Sequence, residues 1–281
     1  MCIVFLKFDP HRKSGGYKIV MAANRDEFFN RPTKSAHFWG ENPRVLSGVD
    51  MKPGKEGGTW VGMAENGRLS AITNILQSSP VRHAKGRGYL ITDFLRGNQT
   101  PLAYLENLPE EGHGFNAFNL LTMDLSESAS LAYYSNVSHD APEILPPGQY
   151  VVSNSLLQTP LQKTIHGEKI FQELLQDKEE GDEDSFIRGL LKLLDNSVQF
   201  PNDPLVALEG TPLPEMVRDG FSAICVRTPK EANYGTRTNT VVLVDGDNHV
   251  TFVEKTLKVP VDVEKFEWEV NKFEFNVRQF Y

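Results

Sequence analysis

The chain contains little cysteine. Only Cys2 and Cys225 occur among its 281 residues. Two thiols are too few for a disulfide framework, and a low cysteine content is typical of proteins that work in a reducing compartment. We therefore expect a cytoplasmic protein.

Long apolar runs are also absent. The first apolar run is broken by Lys7 and Asp9, whereas a secretory signal needs roughly 7–15 apolar residues and a membrane-spanning helix roughly 20. The Arg-rich, acid-free pattern of an organelle transit peptide is missing as well. The sequence thus predicts no transmembrane segment, and any association with an organelle is expected to be peripheral.

Positive charge is in deficit. The chain has 29 Lys and Arg against 37 Asp and Glu, which gives a formal net charge of −8. Nucleic acids and anionic membranes repel such a protein at long range, so we expect no nucleic-acid partner. The seven histidines are scattered and do not pair at the spacing of metal ligands, so we expect no metal site.

Strand patterns dominate both ends of the chain, and helical patterns dominate its middle. The predicted strands are Cys2–Phe8, Tyr17–Ala23, Thr59–Ala64, Arg68–Asn74, Phe115–Asp124, Ser130–Tyr134, Tyr150–Ser153, Phe221–Arg227, Thr238–Val244, Val250–Lys255 and Lys265–Phe275. The predicted helices are Gly88–Arg96, Pro101–Leu108, Pro160–Gln176 and Ser185–Leu194. This order predicts an α+β layered sandwich, and we expect one domain over residues 1–281.

Two glycine-containing segments make local predictions. Asn66-Gly67 lies between alternating patterns and predicts a tight hairpin turn, because such turns need positive φ angles. Val45–Trp60 is rich in glycine and predicts a loop whose backbone passes close to another strand or to a ligand. The residues alone do not decide between these two alternatives.

Cys2 is a candidate nucleophile because it follows Met1 directly. Removal of Met1 would expose a thiol and an α-amine on one residue. The amine is only weakly basic at neutral pH and can therefore serve as the base that a thiol needs. The alternative is that Cys2 is a small buried apolar side chain at the start of a strand.

Polar side chains lie where the predicted strands begin or end, a position from which they reach a cleft beside a rigid sheet. Amides can stabilise an oxyanion, and charged groups can position a nucleophile. The alternative is that these residues cap turns and helices. The residues in question are Asn24-Arg25-Asp26-Glu27, Asn74, Asn154 and Arg237.

Several longer motifs resemble the transport and Golgi organisation protein 2 homologues, also called the NRDE family, over nearly the whole chain. The motifs are Met1-Cys2-Ile3, Lys7-Phe8-Asp9-Pro10, Ala22-Ala23-Asn24-Arg25-Asp26-Glu27-Phe28, Gly54-Lys55-Glu56-Gly57-Gly58-Thr59-Trp60, Gly86-Arg87-Gly88, Phe118-Asn119-Leu120 and Tyr234-Gly235-Thr236-Arg237-Thr238-Asn239-Thr240. The resemblance implies an Ntn-hydrolase-like four-layer αββα sandwich. It also implies a cytoplasmic protein with ties to mitochondria and the Golgi, and a role in lipid, acyl-CoA and haem homeostasis.

The resemblance extends to more distant relatives, the cholylglycine hydrolases and penicillin V acylases, and it implies a set of site residues. Arg25 and Asp26 are adjacent here, whereas the acylases separate this pair by two residues, so one of the two is expected to point away from the site. The implied catalytic residues are Cys2, Arg25, Asp26, Asn74, Asn154 and Arg237, and the candidate ligand contacts are Asn24, Glu27 and Arg87.

Two classes of function therefore stay open. In the first, the chain needs no cofactor and binds or traffics an acyl-lipid, acyl-CoA or haem in an Ntn-type pocket. In the second, it is an amidohydrolase or thioesterase that uses Cys2 on an acylated small molecule. The basic residues and glycines of Arg82-His83-Ala84-Lys85-Gly86-Arg87-Gly88 suit a phosphate group, although a solvated basic loop is the alternative.

Overall fold

The computed structural model describes residues 2–79, 81, 83–108, 114–125, 129–177, 182–209 and 214–278, and within these ranges the strands form two antiparallel sheets. In spatial order, the six-stranded sheet consists of β10 (Gly148–Val152), β1 (Cys2–Phe8), β2 (Tyr17–Phe28), β11 (Tyr234–Asp245), β12 (His249–Leu257) and β13 (Trp268–Asn276). The seven-stranded sheet consists of β3 (Thr33–Trp39), β4 (Val45–Asp50), β5 (Val61–Ala64), β6 (Arg68–Asn74), β7 (Phe118–Asp124), β8 (Ser130–Ser135) and β9 (Glu143–Leu145).

Helices cover the outer face of each sheet. In the described ranges they are α1 (Gly88–Arg96), α2 (Pro101–Glu106), α3 (Gln162–Asp177), α4 (Glu183–Leu194), α5 (Pro204–Glu209) and α6 (Glu215–Phe221). Helices α1 and α2 pack on the seven-stranded sheet, and α3 and α4 pack on the six-stranded sheet. The layers therefore follow the order helix, sheet, sheet, helix, which confirms the predicted α+β four-layer sandwich. Within the same ranges, no helix is long and apolar enough to span a membrane.

Strand β1 explains how the layers are held together. Neighbouring residues of a strand point to opposite faces. Val4 and Leu6 accordingly pack into the core between the two sheets, whereas Ile3 and Phe5 pack into the core beneath α3 and α4. By the same alternation Cys2 shares the face of Val4 and is directed into the space between the sheets.

The predicted hairpin at Asn66-Gly67 is confirmed. Gly67 has a φ of +90° and lies between β5 and β6, which pair antiparallel. The glycine-rich segment Val45–Trp60, in contrast, begins with β4, which its pattern does not predict. A Cβ atom at Gly48 would lie 2.5 Å from the Trp60 ring. At this glycine the backbone therefore passes close to another part of the chain.

The predicted strand Phe221–Arg227 is wrong, because α6 ends at its first residue and bends follow. The side chains of Ile224 and Val226 are completely buried, which explains the apolar pattern. The backbone groups of this segment bond to side chains, to the Asn196 carbonyl and to β11 at one isolated bridge, so no continuous strand pairing forms. The carbonyl of Ile224 accepts a bond from Asn24, and the N–H of Val226 donates to Thr236. A short buried apolar run is thus not sufficient to identify a strand.

Candidate active site and ligand cavity

A polar cavity of about 620 Å³ opens between the two sheets, and Cys2 lies in its wall. Cys2 is 7% exposed and pairs with Arg25 across β1 and β2. Its carbonyl accepts a hydrogen bond from Ser153 Oγ at 2.9 Å, which anchors the start of β1. Burial raises the pKa of the Cys2 thiol, while the Asp26 backbone amide acts in the opposite direction. The thiol therefore needs a base before it can attack a carbonyl. Met1 lies outside the described residues.

The side chains of Arg25 and Asp26 point to opposite faces of β2. The Arg25 guanidinium lies 4.0 Å from the centre of the Trp60 ring and donates to Thr33 Oγ1 at 3.3 Å. Asp26 Oδ1 accepts a bond from Thr236 Oγ1 at 2.5 Å, on the side of the sheet that faces α3. Arg25 is thus held against the Trp60 ring between the sheets, whereas the Asp26 carboxylate bonds to Thr236 on the other face of β2, although Asp26 still forms part of the cavity wall.

Asn24 shares the helix-facing side of β2 with Asp26. Its Nδ2 donates to the carbonyls of Leu194 at 2.8 Å and Ile224 at 3.0 Å, and its Oδ1 accepts a bond from Asn239. The side chain is 2% exposed and is not among the residues that line the cavity. These contacts join β2 to the end of α4. Asn24 therefore has a structural role at the end of the strand and is not placed to contact a ligand in the cavity.

Arg237 is likewise directed away from the cavity. It lies where the pairing of β11 with β2 shifts register, between Thr236 and Thr238. Its guanidinium donates to the carbonyls of Phe28 at 2.9 Å and Arg31 at 2.8 Å, and burial lowers its pKa to about 10. The structure places Arg237 as a support for the turn that follows β2.

The two candidate amides lie one behind the other. Asn74 ends β6 and lines the cavity. Asn154 is 2% exposed, and its Nδ2 donates to the Asn74 carbonyl at 2.7 Å. Asn154 Oδ1 accepts a bond from Lys163 Nζ at 3.0 Å and lies 3.0 Å from Ser153 Oγ. Asn74 is therefore the amide at the cavity, and Asn154 supports it from behind.

Glu27 and Arg87, the other two predicted ligand contacts, both line the cavity. Glu27 forms an ion pair of 2.9 Å with Arg31, and Arg87 donates to the Ala117 carbonyl at 2.7 Å. Arg82 lies outside the described residues. Basic residues outnumber acidic ones among the residues that line the cavity, which are Arg25, Arg31, Lys52, Lys55, Lys85 and Arg87 against Asp26, Glu27 and Asp50.

An apolar pocket of about 500 Å³ adjoins the polar cavity. The two share Asn74, Arg87 and Asn116. The wall of the pocket is formed largely by apolar and aromatic residues from separate parts of the chain, namely Phe28, Ile75, Leu76, Pro214, Val217, Phe221 and Tyr234. Together the two spaces form an amphipathic site beside Cys2.

Sequence reasoning missed Lys163 and Tyr234. Tyr234 forms part of the apolar wall, and its hydroxyl donates to the Asp26 carbonyl at 2.9 Å. Lys163 lies four residues before Gly167 and eight before Phe171, on the buried face of α3. A lysine on the otherwise buried stripe of an amphipathic helix is the signal that could have identified it. Tyr234 begins one of the family motifs, but nothing in that motif assigns it to an apolar wall.

Comparison with known proteins places this geometry in context. The family model for Transport and Golgi organisation 2 matches residues 1–259. The homologues from mouse and human are each 42% identical over 281 residues, which cover 99% of this chain and 100% of theirs. The Drosophila melanogaster protein of the same name is 33% identical, with 92% of each chain covered.

Two solved structures share the fold. A Caenorhabditis elegans N-acylethanolamine-hydrolyzing acid amidase ortholog has a TM-score of 0.50 and 13% identity, and the match covers 86% of this chain and 92% of that one. The C2A mutant of conjugated bile acid hydrolase from Clostridium perfringens has a TM-score of 0.50 and 10% identity, with 98% and 97% covered. The chain therefore belongs to the Transport and Golgi organisation 2 family and has an Ntn-hydrolase-like fold.

Proposed function

We propose that this protein binds an acylated small molecule, with the acyl chain in the apolar pocket and a polar, anionic head in the adjoining cavity. The observation that carries the proposal is the junction of the two spaces at Asn74, Arg87 and Asn116. A ligand that spans this junction must be apolar at one end and hydrogen-bonding at the other. An acyl-lipid or an acyl-CoA has this chemistry.

The energetics of each half support such a ligand. Each methylene that leaves water contributes about 0.8 kcal/mol, so six buried methylenes contribute roughly 5 kcal/mol. Lys52, Lys55 and Arg87 supply positive charge to the polar half, and Arg groups bind phosphate oxygens through strong charge-assisted hydrogen bonds. The head and the chain thus find separate, matching surroundings.

Haem is the second cargo that fits this division, because it joins an apolar ring to two carboxylates. The described residues contain no group of three or more His, Cys, Asp or Glu side chains that could hold a metal ion. Haem would depend mainly on the apolar wall, with a single axial ligand to its iron. In either case we propose a role in lipid, acyl-CoA or haem homeostasis. The protein would act in the cytoplasm, with peripheral contact to mitochondrial and Golgi membranes.

A second candidate function is hydrolysis by Cys2, which is favoured by the position of this residue in the cavity wall near Asn74. The Cys2 thiolate would attack the carbonyl carbon of an amide or thioester, and the leaving amine or thiol would take up the proton. Water would then release the acid and regenerate the thiol. After loss of Met1 the α-amine of Cys2 would serve as the base.

The binding proposal is tested by titrating an acyl-CoA, free CoA and haem against wild-type protein and two variants, using isothermal titration calorimetry. Val217→Arg fills the apolar pocket, and Met216→Arg changes the preceding residue on the same helix, which is 70% exposed and outside the pocket. We expect Val217→Arg to weaken acyl-CoA binding by about tenfold or more and Met216→Arg to leave it unchanged. Absence of acyl-CoA and haem binding, or equal loss in both variants, would contradict the proposal.

Intact mass separates carrier from enzyme. The purified protein is weighed before and after brief incubation with an acyl-CoA and with an amide-linked lipid. Loss of Met1 together with an acyl adduct that disappears in Cys2→Ala would support hydrolysis. A ligand that co-purifies without a covalent adduct would support a carrier.

A further inference from the structure

Lys163 is a completely buried lysine in the first turn of α3. Its side chain is 1% exposed. The ammonium group donates to Asn154 Oδ1 and to the Phe221 carbonyl, each at 3.0 Å. Among the described residues, no carboxylate lies within ion-pair distance of it. A buried charge with neutral partners is costly, so the position calls for a functional explanation.

The packing of α3 brings this lysine to the site. At Gly167, one turn further along the helix, a Cβ atom would lie 2.6 Å from the Phe5 ring and 2.9 Å from Ile224. A larger residue there would push α3 away from β1. Glycine permits the close approach, and Lys163 reaches the end of the sheet behind the cavity as a result.

The chemistry of an ammonium group fixes the orientation of Asn154. Lysine can only donate hydrogen bonds, so the carboxamide must present its oxygen to Lys163 and its nitrogen to the Asn74 carbonyl, 2.7 Å away. A flipped amide would place an NH₂ group against an NH₃⁺ group. The same Asn154 oxygen lies 3.0 Å from the Ser153 hydroxyl, which donates to the Cys2 carbonyl at 2.9 Å.

Lys163 therefore contacts groups that position residues of both the polar cavity and the apolar pocket. Through Asn154 it reaches Asn74, which lines the polar cavity and the apolar pocket. Through the Phe221 carbonyl it holds a residue whose side chain lines the apolar pocket. We infer that Lys163 is a positioning residue, whose buried ammonium fixes the Asn154 amide and the Phe221 main chain so that the head and chain subsites keep their relative placement. This inference rests on the proposed ligand binding.

Loss of the Lys163 charge should be visible as a function of pH. Burial lowers the pKa of Lys163 to about 8. The negative charges of three nearby groups act in the opposite direction and raise it, namely Asp26 on β2, Cys2 on β1 and Asp203 before α5. A neutral amine can accept a hydrogen bond as well as donate, and it then no longer enforces one orientation of Asn154. Ordering of the Asn154 amide should therefore be lost with a midpoint near pH 8.

The test compares Lys163→Met with Lys169→Met, an exposed lysine on the same helix. The side-chain amide resonances of Asn154, assigned with Asn154→Asp, are followed by ¹⁵N NMR between pH 6.5 and 9.5. We expect one slowly exchanging NH₂ pair at low pH in wild type and Lys169→Met, and rapid exchange or doubled signals in Lys163→Met at every pH. Because amide exchange with water also speeds up with pH, the Asn154 rate in wild type is compared at each pH with that of the buried Asn119 amide. This comparison needs no variant and decides the question even where Lys163→Met does not fold.

Binding supplies the second readout. Lys163→Met should weaken the affinity for the acyl-CoA by about fivefold, and Lys169→Met should leave it unchanged. An Asn154 amide that stays ordered above pH 9 and in Lys163→Met would overturn the positioning role. Wild-type protein that binds no acyl-CoA would contradict the proposed function instead, while the NMR comparison would still decide the role of Lys163.

Discussion

Glu254 on β12 offers a sharp test of how the two sheets are joined. Its carboxyl group is 1% exposed, and Oε1 accepts a bond from the Ala36 backbone N–H on β3 at 2.6 Å. The contact therefore crosses from one sheet to the other. Burial raises the pKa of Glu254 from an ordinary value of 4.5 to about 7, although the nearby Arg25 opposes the rise.

The direction in which pH changes the unfolding free energy follows from the difference between the folded and unfolded pKa values of Glu254. The folded-state pKa lies above that of the unfolded chain, so the contribution of Glu254 to stability is complete below pH 4.5 and is lost as the pH rises through 7. At about 1.4 kcal/mol per pH unit, the difference between the two pKa values corresponds to roughly 3 kcal/mol. Glu254→Gln keeps an acceptor for the Ala36 amide but cannot ionise.

The assay is urea denaturation at several pH values between 5 and 8, followed by tryptophan fluorescence. We expect the unfolding free energy of wild type to fall relative to that of Glu254→Gln by roughly 2–3 kcal/mol over this range. If the unfolding free energies of the two proteins change with pH in parallel, Glu254 titrates near its ordinary pKa. The reasoning from its burial would then be refuted.

Two further substitutions test the packing around the site, each by the same denaturation assay. Gly48→Ala should cost about 1–3 kcal/mol, because its methyl group overlaps the Trp60 ring and must displace it; a cost below about 0.5 kcal/mol would contradict this. Arg68→Met should cost about 3 kcal/mol, because Arg68 donates to the carbonyls of Phe94 and Gly97 at the end of α1 and is 4% exposed. Unchanged stability in Arg68→Met would show that water satisfies these carbonyls equally well.

Local patterns in the sequence succeed where the deciding interactions are themselves local. The hairpin turn at Asn66-Gly67 needs a residue with a positive φ angle, and Gly67 supplies it at +90°. The alternation in β1 assigns its side chains to two faces without knowledge of the neighbouring strands. The same alternation places Arg25 and Asp26 on opposite faces of β2, which decides what each side chain can reach.

Local patterns fail where burial comes from distant contacts. Phe221–Arg227 is as apolar as a strand, but its backbone bonds go to scattered partners, among them the Asn24 and Thr236 side chains and the Asn196 carbonyl. Asn24 and Arg237 are polar residues in family motifs, yet both side chains donate hydrogen bonds to backbone carbonyls outside the cavity. The motifs that contain Asn24 and Arg237 do not show which groups these side chains bond to in the folded chain.

The sequence by itself determined the family, the layered α+β class and the strand that begins at Cys2, because motifs, periodicity and turn chemistry act over short stretches of chain. Only the tertiary structure decided that an apolar pocket adjoins the polar cavity, and that Lys163 lies behind Asn154. The pocket wall combines residues near positions 28, 75, 217 and 234. Such groups meet only when the sheets and helices pack together, and no local pattern records that packing.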